Sequence, residues 1–354
     1  MNKEQSILQK ELSNLPTQLE FLEVVNHRGK DFYTKEKALY KSLKAGFDGQ
    51  EKLVFYLEKY GQSHWTILQN VWLDYSGTFE SDLILITNHS IYVFEIKNYS
   101  GTFIYDEGKC YYNKFETSIN PVEQARVCMV NLKNLLSKKY RNIQVKSAVI
   151  FTGDDNDIQI KSHVQDIDII NRTQILNYIR QIADEEKSSR THRITADDLI
   201  RSLAPYEIPN PYSLAPLTDE ELSHIIGGIY CTNCLSYDVK TLKLWITCSC
   251  GFHEPRDEAI IRTICDYGVL TYGKNLKRIE LEKFIGEDNS ISYLKKILYD
   301  HFDANQNFSG TTYVNKNLLY SRIHHQFTID RQQIFKPNEN QIIYLQNNQV
   351  YNLP

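Results

Sequence analysis

The chain has 354 residues, a hydrophobic content of 42%, a charged content of 24% and a formal net charge of −4 at pH 7. This length accommodates two domains, and the composition is that of an ordinary globular protein. No apolar run approaches the roughly 18 residues that cross a bilayer, and the first residues lack the apolar segment of a signal peptide, so we expect a cytoplasmic protein without a membrane segment. The acidic net charge restricts any nucleic-acid-binding surface to a local basic patch.

Pattern and composition divide the chain into five segments. Helical and strand patterns alternate between 36 and 182, which predicts an α/β domain. A charged loop at 183–193 and a cluster of four of the nine prolines at 205–216 predict a linker that includes a short helix. The predicted segments are a helical N-terminal lead-in at 1–35, the α/β domain at 36–182, the linker at 183–220, a cysteine-rich segment at 221–255 and a helical C-terminal region at 256–354.

A helix is predicted around AGFDGQEKL at 45–53. Helical spacing from Phe47, Val54 and Leu57 places Gln50 at the centre of the buried stripe. Glu51, the next residue, lies about 100° further around the helix. Of the two polar side chains, Gln50 is therefore the one that faces the interior of the domain.

Residues 79–99, FESDLILITNHSIYVFEIKNY, predict an antiparallel hairpin that turns at Asn88 and His89. In this register Asp82 lies opposite Glu95, and opposed residues point to the same face with Cβ atoms about 5 Å apart. Lys97 shares that face because strand side chains alternate with a period of two. The hairpin therefore predicts a cluster of Asp82, Glu95 and Lys97, which a shift of the register by one residue would break.

The paired carboxylates of Asp82 and Glu95 favour a metal ion. Two close carboxylates repel each other unless a proton or a cation lies between them. A hard divalent ion such as Mg²⁺ or Mn²⁺ binds carboxylate oxygens and retains some of its water. Lys97 beside it could hold an attacking water or a phosphate oxygen, and this combination suits metal-assisted phosphodiester hydrolysis. The alternative is an edge hairpin whose charged ends meet solvent.

A second helix is predicted to begin after Asn120, with Asn120 as N-cap and Pro121 at the first helical position. Gln124 lies in the first turn, where free N–H groups favour an anion such as a phosphate; the alternative is a solvated residue at the start of a helix. A basic strip follows, which either binds phosphates or is a solvated outer helix face. Between 124 and 153 the chain has no Asp or Glu, and its basic residues are Arg126, Lys133, Lys138, Lys139, Arg141 and Lys146.

The cysteine-rich segment predicts a zinc ribbon. Cys231 and Cys234 form a C-x₂-C pair, and the C-x-C pair of Cys248 and Cys250 follows after 13 intervening residues. In a reduced compartment this spacing indicates zinc rather than disulfides. Four protein ligands leave no open position for a substrate, so the Zn²⁺ would be structural. His253 is the nearby residue that could replace one cysteine.

The C-terminal region predicts helices at 256–270, 274–286 and 290–302. The last two are short and amphipathic, and three residues separate them. This outline is compatible with a helix-turn-helix that contacts DNA through Lys295 and Lys296. Helices that only pack against each other would give the same pattern.

Three motifs in order resemble one known family. FESD at 79–82 takes the place of a Thr-Gln-x-Asp segment, FEIKNYSG at 94–101 matches Val/Ile-Glu-x-Lys-Asn-x-x-Gly, and INPVEQ at 119–124 matches Asn-Pro-x-x-Gln. Together with the glycines of the first helix they resemble the NERD (nuclease-related) domain of the PD-(D/E)xK nuclease superfamily. The resemblance covers roughly residues 40 to 182.

The resemblance implies a fold and a set of site residues. It implies a mixed sheet flanked by helices, with Asp82 and Glu95 as metal ligands, Lys97 as the catalytic lysine and Gln124 near the site. The family usually has Glu directly after the second glycine of the first helix, where this chain has Gln50 followed by Glu51. Either Glu51 takes that role, or the site carries one charge fewer.

These observations predict a metal-dependent nuclease that hydrolyses phosphodiester bonds, of DNA rather than RNA, with Mg²⁺ or Mn²⁺ as catalytic ion and Zn²⁺ as structural ion. The first alternative is a nucleic-acid-binding module with a weak or inactive nuclease site, which Gln50 favours. The second is a protein-interaction adaptor that binds a partner through the zinc and C-terminal regions.

Overall fold

The computed structural model describes residues 18–29, 34–141, 143–189, 195–208, 210–211, 217–271, 275–286, 290–307 and 310–314. The chain forms two compact units. The described part of the first lies within Thr34–Ser213, and the second combines Asn14–Tyr33 with Leu214–Pro354. Residues 1–17 and 30–33 of the lead-in predicted at 1–35, and the C-terminal stretch after 314, lie outside the described residues. None of the described helices is long and apolar enough to cross a membrane.

Helices and strands alternate in the first unit, as an α/β domain requires. Helix α1 (Gln18–Arg28) belongs to the second unit. The helices of the first unit are α2 (Thr34–Tyr60), α3 (Pro121–Ser137), α4 (Ile175–Ser188) and α5 (Ala196–Leu203). The first unit also has 3₁₀ turns at Arg172–Gln174 and Ala204–Tyr206. Its strands are β1 (Thr66–Asp74), β2 (Thr78–Ile86), β3 (Ser90–Lys97), β4 (Gly101–Asp106), β5 (Lys109–Tyr112), β6 (Phe115–Glu116), β7 (Gln144–Phe151), β8 (Asn156–Ile160) and β9 (Ile167–Ile170).

The main sheet is mixed and has the strand order β1-β2-β3-β7-β9. Strands β1, β2 and β3 are antiparallel, whereas β7 runs parallel to both β3 and β9. Helices α3 and α5 cover one face, where Ile84 and Val93 pack with Leu132 and Leu199. Helices α2 and α4 cover the other, where Leu85 and Phe94 pack with Leu57 and Ile179. The predicted mixed sheet flanked by helices is confirmed.

Burial on both faces explains the uninterrupted apolar runs at 83–86 in β2 and 91–94 in β3. Each fully buried Leu or Ile in these strands contributes about 1.5–3 kcal/mol relative to an exposed position. A smaller sheet, in the order β6-β5-β4-β8, lies beside the main one. Phe103 and Tyr105 of this sheet pack with Val122 and Ala125 at the start of α3 and with Phe151 at the end of β7.

The charged loop predicted at 183–193 is wrong for its first six residues. Helix α4 continues to Ser188 because Ile182 and Ala183 are buried against the main sheet, while the acidic residues that follow make side-chain bonds at its edge. Glu186 accepts hydrogen bonds from the backbone N–H of Asn88 at 2.6 Å and from Trp65 Nε1 at 2.9 Å. Further along the chain, Ile208 N–H donates to the carbonyl of Trp72 in β1.

The second unit is built around a helical core beside a small sheet. Its remaining elements are α6 (Asp219–Ser223), β10 (Val239–Thr241), β11 (Trp245–Cys248), β12 (His253–Pro255), α7 (Arg256–Leu270), α8 (Arg278–Ile285), α9 (Ile291–His301), β13 (Ala304–Asn307) and β14 (Gly310–Tyr313). The three predicted C-terminal helices are confirmed, although α8 begins four residues later than predicted, after Leu276 pairs with Tyr313. The hairpin of β13 and β14 is an addition that the prediction of a helical region at 256–354 did not include.

A buried ion pair fixes α1 within the second unit. Arg28 Nε lies 2.7 Å from Asp266 Oδ2 in α7, and both side chains are almost fully buried. Arg28 also donates to the carbonyls of Ile226 and Gly228, and its guanidinium lies 4.9 Å from the centre of the Tyr230 ring. A helix that the sequence suggests as a lead-in to the α/β domain is therefore a core element of the other unit.

Candidate active site and metal cluster

The β2–β3 hairpin has the predicted register. Leu83 pairs with Phe94 and Ile86 with Ile91, and Thr87 N–H donates to the carbonyl of Ser90 in the turn. The ladder ends at the Leu83–Phe94 pair. Asp82 and Glu95 are the next residues on each strand, so the two carboxylates lie where regular pairing between β2 and β3 stops.

Where the backbone pairing of β2 and β3 ends, the Asp82 side chain accepts a hydrogen bond from the backbone of β3. Its Oδ2 accepts a hydrogen bond from the backbone N–H of Ile96 at 2.7 Å. Pairing with the neighbouring strand β1 is also interrupted at Asp82. Gln69 pairs with Leu83 and Val71 with Ser81, but Asn70 and Asp82 between them do not pair. Asn70 has a φ of 52°, which lies in the left-handed region. The alternation of β2 also shifts here, because Phe79 packs in the same core cluster as Ile84. This local break turns the Asp82 carboxylate towards the end of β3.

Glu95 and Lys97 form the second half of the cluster. Two residues apart on β3, they point to the same face, and Lys97 Nζ lies 2.6 Å from Glu95 Oε1. Their side chains are only 10% and 16% exposed, respectively. The structure thus places an ammonium group against one of the two carboxylates that the sequence predicts as metal ligands.

Burial dominates the electrostatics of these groups. It raises the pKa of Asp82, although the Ile96 N–H, the Lys97 charge and a hydrogen bond from Gln50 act in the opposite direction. Burial and then the Asp82 charge raise the pKa of Glu95, against the effect of Lys97. Burial lowers the pKa of Lys97, but the charge of Glu95 outweighs it and the pKa is raised. A cation would relieve the cost of keeping both carboxylates ionised.

Glu80 is a third carboxylate at this site, and it is absent from the residues predicted above. The residue is exposed on β2, yet desolvation of its carboxyl group raises its pKa to about 8, and the charges of Asp82 and Glu95 contribute to that rise. The sequence alone did not reveal Glu80, because the period-two alternation of β2 shifts between Phe79 and Ile84.

Gly49 lets α2 approach the strand ends closely enough for Gln50 to reach Asp82. A Cβ at position 49 would lie 2.8 Å from both Asn98 Cβ and Thr152 Oγ1, a distance that side chains do not tolerate. The Gln50 amide then donates to the Asp82 carboxylate. Glu51 is exposed. The polar side chain that α2 brings to the cluster is thus Gln50, as the helical spacing predicts.

Gln124 lies in the first turn of α3 and is exposed. That turn is well capped, because Asn120 Oδ1 accepts from the backbone N–H groups of Val122 and Glu123. Asn120 also donates to the carbonyl of Gly108 at 2.9 Å, which ties the start of α3 to the β4–β5 turn. The predicted helix start is confirmed, and a role of Gln124 in binding an anion stays a prediction.

One family model matches the part of the sequence that contains this site. Residues 45–152 match the family model of the nuclease-related domain, NERD. The curated proteins and the solved structures give no match to the chain. The matched segment contains Gln50, Asp82, Glu95, Lys97 and Gln124, so the resemblance drawn from the motifs is confirmed over this range. We refer to residues 45–152 as the NERD segment.

Most of the basic strip predicted between 124 and 153 is engaged within the protein. Lys138 Nζ lies 5.6 Å from the centre of the Tyr75 ring. Other contacts pair Arg126 with Glu123 and the carbonyl of Gln165, Lys139 with Ser202, and Lys146 with Glu185. Lys133 and Arg141 are exposed. The strip is therefore less available to phosphates than its sequence suggests.

A cysteine cluster lies outside the NERD segment, in the second unit. The sulfurs of Cys231, Cys234, Cys248 and Cys250 all lie within 4.8 Å of one another. Two of the Sγ–Sγ distances are 3.7 Å for Cys231–Cys250 and 3.5 Å for Cys234–Cys248. A tetrahedral zinc ion with Zn–S bonds of about 2.3 Å holds its sulfurs about 3.8 Å apart, so the cluster fits a metal ion of this kind.

The surroundings favour a thiolate at Cys250, and His253 lies outside the cluster. The backbone N–H of Phe252 and the amide of Asn233 donate to Cys250 and lower its pKa. His253 instead packs edge-on against Trp245, with ring centres 5.7 Å apart. Among the described residues, these cysteines are the one group of three or more His, Cys, Asp and Glu side chains that could hold a metal ion.

The C-terminal helices of the second unit hold the two lysines predicted to contact DNA. Lys295 and Lys296 lie on α9 and are exposed. On the other side of that helix, Leu294, Ile297 and Leu298 are buried in the core of the unit. Contact between α9 and DNA stays a prediction.

Proposed function

We propose that the NERD segment hydrolyses phosphodiester bonds of nucleic acid, DNA rather than RNA, with a Mg²⁺ or Mn²⁺ ion held by Asp82 and Glu95. The observation that carries the proposal is the meeting of Asp82, Glu95 and Lys97 at the ends of two adjacent strands, inside the segment that matches the nuclease-related domain. Two buried carboxylates with raised pKa values beside one lysine suit a hard divalent ion and an anionic substrate.

The residues have distinct roles in this proposal. A bound divalent ion would polarise the phosphodiester and lower the pKa of its water. The bond from Ile96 N–H to Asp82 holds that carboxylate in place before any ion arrives, so little reorganisation is needed. Lys97 is only 16% exposed, and its ammonium can leave Glu95 for a phosphate oxygen or the attacking water. Glu80 adds negative charge that the neutral Gln50 does not.

A nucleic-acid-binding module with weak or no cleavage is the second candidate, and Gln50 favours it. The Gln50 amide already satisfies one oxygen of Asp82 and brings no charge, so an ion there is held by fewer charged ligands than a carboxylate at position 50 would provide. A protein-interaction adaptor that acts through the cysteine-rich and C-terminal regions is the third.

Cleavage assays separate these candidates. Supercoiled plasmid and single-stranded DNA are incubated with the full-length protein and Mn²⁺, and then with the Glu95→Gln variant. We expect cleavage by the parent and at least about a 100-fold loss in Glu95→Gln, in the range seen when one charge-stabilising group is removed. Glu116→Gln is the matched control, because Glu116 is an exposed glutamate in the same unit. No cleavage by the parent, with binding of DNA in a gel shift, favours the second candidate; the absence of both favours the third.

For the cysteine cluster we propose a structural Zn²⁺. Four thiolates close the coordination shell, and zinc is the common ion of such sites. Four cysteines grouped around one point, rather than paired in disulfides, are typical of a reducing compartment, which supports a cytoplasmic location.

A further inference from the structure

The sheet formed by β10, β11 and β12 has two chemically different faces. Ile246 points inward and packs with Ala259 and Ile260 of α7. Glu254 is buried on the same side, where both its oxygens accept from Arg262 at 2.6 and 2.9 Å. Because strand residues alternate between faces, the neighbours of Ile246 and Glu254 point away from the core. We call the opposite side the outer ribbon face, made of Lys240, Trp245, Thr247 and His253.

Aromatic and cationic side chains line the outer ribbon face. The register aligns Lys240, Thr247 and His253 across the three strands, and the Trp245 and His253 rings meet at 74°. Trp245 is 45% exposed. Large apolar neighbours extend the surface on the adjoining turns, namely Leu242, Leu244 and Phe252, which are also exposed. Lys243, in the turn between β10 and β11, is exposed beside them.

A cluster of exposed aromatic and aliphatic side chains on so small a sheet indicates a binding surface, because single exposed apolar residues are common but contiguous groups are not. The outer ribbon face carries positive charge, which favours an anionic partner. Residues 231–255 contain two acidic residues, and one of them, Glu254, is turned inward and paired. The other, Asp238, precedes β10. The lysines at 240 and 243 thus flank Trp245 on a face that attracts anions.

We infer that the outer ribbon face binds single-stranded nucleic acid, with bases stacked on Trp245 and phosphates at Lys240 and Lys243. Every base has a π-face, so stacking on an aromatic side chain combined with nearby cations suits a single strand of any sequence. In a duplex the base faces are already stacked on one another, and Trp245 would find no partner. This binding is separate from the proposed cleavage and does not require it.

Binding is measured with the full-length protein carrying Glu95→Gln, so that no cleavage intervenes. Fluorescence anisotropy follows a labelled 20-nucleotide oligo(dT) and a 20-base-pair duplex at several salt concentrations. We expect tighter binding of the single strand and about a tenfold loss with Trp245→Ala, as expected for one stacked base. Trp245→Phe keeps an aromatic face and should retain most of the affinity. Lys240→Ala with Lys243→Ala should weaken binding and reduce its salt dependence.

Phe55→Ala is the matched control, since Phe55 is an exposed aromatic residue beside a lysine on α2. It should bind the oligonucleotide as the parent does. Unchanged affinity in both Trp245→Ala and the double lysine variant overturns the inference, as does equal binding of duplex and single strand. The lysine pair is exposed, so it decides the question if Trp245→Ala fails to fold. Absence of cleavage by the wild-type protein would overturn the proposed nuclease and leave this result untouched.

Discussion

Lys97 Nζ and Glu95 Oε1 lie 2.6 Å apart at the end of strand β3. The proposed roles of the two side chains conflict in the ion-free protein. Glu95 is a proposed ion ligand, and Lys97 is the group proposed to contact the phosphate, yet without an ion each neutralises the other. An ion that binds Glu95 would release Lys97 for its substrate, so ion binding and phosphate binding should support each other at this site.

The first prediction concerns Lys97→Ala. We expect this variant to bind Mn²⁺ at least as tightly as the parent, because the ammonium no longer competes for Glu95. Cleavage should fall at least about 100-fold, because a positive charge positioned for the phosphate is lost. Titration calorimetry measures the first quantity and plasmid relaxation the second. Lys133→Ala, an exposed lysine on α3, should change neither. Cleavage at the parent's rate by Lys97→Ala would exclude a catalytic role for Lys97.

Gln50→Glu tests the neutral side chain at the site. The variant replaces a donor to Asp82 with a further close carboxylate, so the ion-free protein should unfold at a lower temperature. With Mn²⁺ present, the added ligand should tighten ion binding by about tenfold, a change typical of groups around a metal. Thermal denaturation with and without Mn²⁺ measures both effects. Glu51→Ala should change little, since Glu51 is exposed; a large loss of ion binding there would show that Glu51 is the ligand instead.

Glu80→Gln should have the opposite effect on the ion. It removes negative charge next to Asp82 and Glu95, so Mn²⁺ binding should weaken, by less than in Glu95→Gln because Glu80 is exposed. The raised pKa of Glu80, about 8, costs the parent stability as the pH rises from the usual glutamate value of 4.5 to about 8. The ion-free variant should therefore gain a little stability relative to the parent over this range and keep that gain above pH 8. Calorimetry and thermal unfolding at pH 6 and pH 9 check the two parts. Equal Mn²⁺ affinity in parent and variant would remove Glu80 from the site.

The hairpin register could be predicted because two apolar runs flank a short turn, and slippage would expose buried residues of β2 or β3. The start of α3 could be predicted because Asn120 and Pro121 are local signals. The break at Asp82 could not, since it depends on Asn70 in a neighbouring strand with positive φ. Nor could the place of α1, which depends on the contact between Arg28 and Asp266, 238 positions apart.

Glu186 gives a prediction for the stability of the first unit. Burial raises its pKa, but the bonds from Trp65, the Asn88 N–H and His64 outweigh this, and the pKa is lowered. A carboxylate with a lowered pKa stabilises the fold above its unfolded pKa and loses that effect as the pH falls through the folded value. Glu186→Gln should therefore cost about 1–3 kcal/mol at pH 7, and the difference from the parent should shrink below about pH 4.

Urea denaturation of both proteins at pH 7 and at pH 3 measures these free energies of unfolding. Asp184→Asn is the control, because Asp184 lies on the exposed side of α4 and pairs only with Lys187 three residues later among the contacts described. Its effect should stay within about 0.5 kcal/mol at both pH values. A loss in Glu186→Gln that is equally large at pH 3 would show that the charge of Glu186 is not what stabilises the fold.

The last prediction concerns the cysteine cluster and the helix packed next to it. A ribbon of about 25 residues has too small a core to fold unaided, so metal binding supplies its folding free energy. Cys234→Ser should release the metal and make residues 231–255 protease-sensitive. Cys265→Ser is the control, because that buried thiol lies outside the cluster. Elemental analysis of the parent, purified without chelator, should find about one zinc per chain.

The pattern of proteolysis in Cys234→Ser tests the division into units. Cys231 follows Tyr230, whose ring lies against the Arg28 guanidinium of α1, so loss of the ribbon should also loosen α1. Cleavage should then appear both at 231–255 and near the N-terminus, around 18–29, while residues 36–182 stay resistant because their core clusters are separate. A zinc-free parent with four freely titratable thiols would refute the metal site. Digestion of 36–182 together with the ribbon would leave the metal site standing but show that the first unit depends on it.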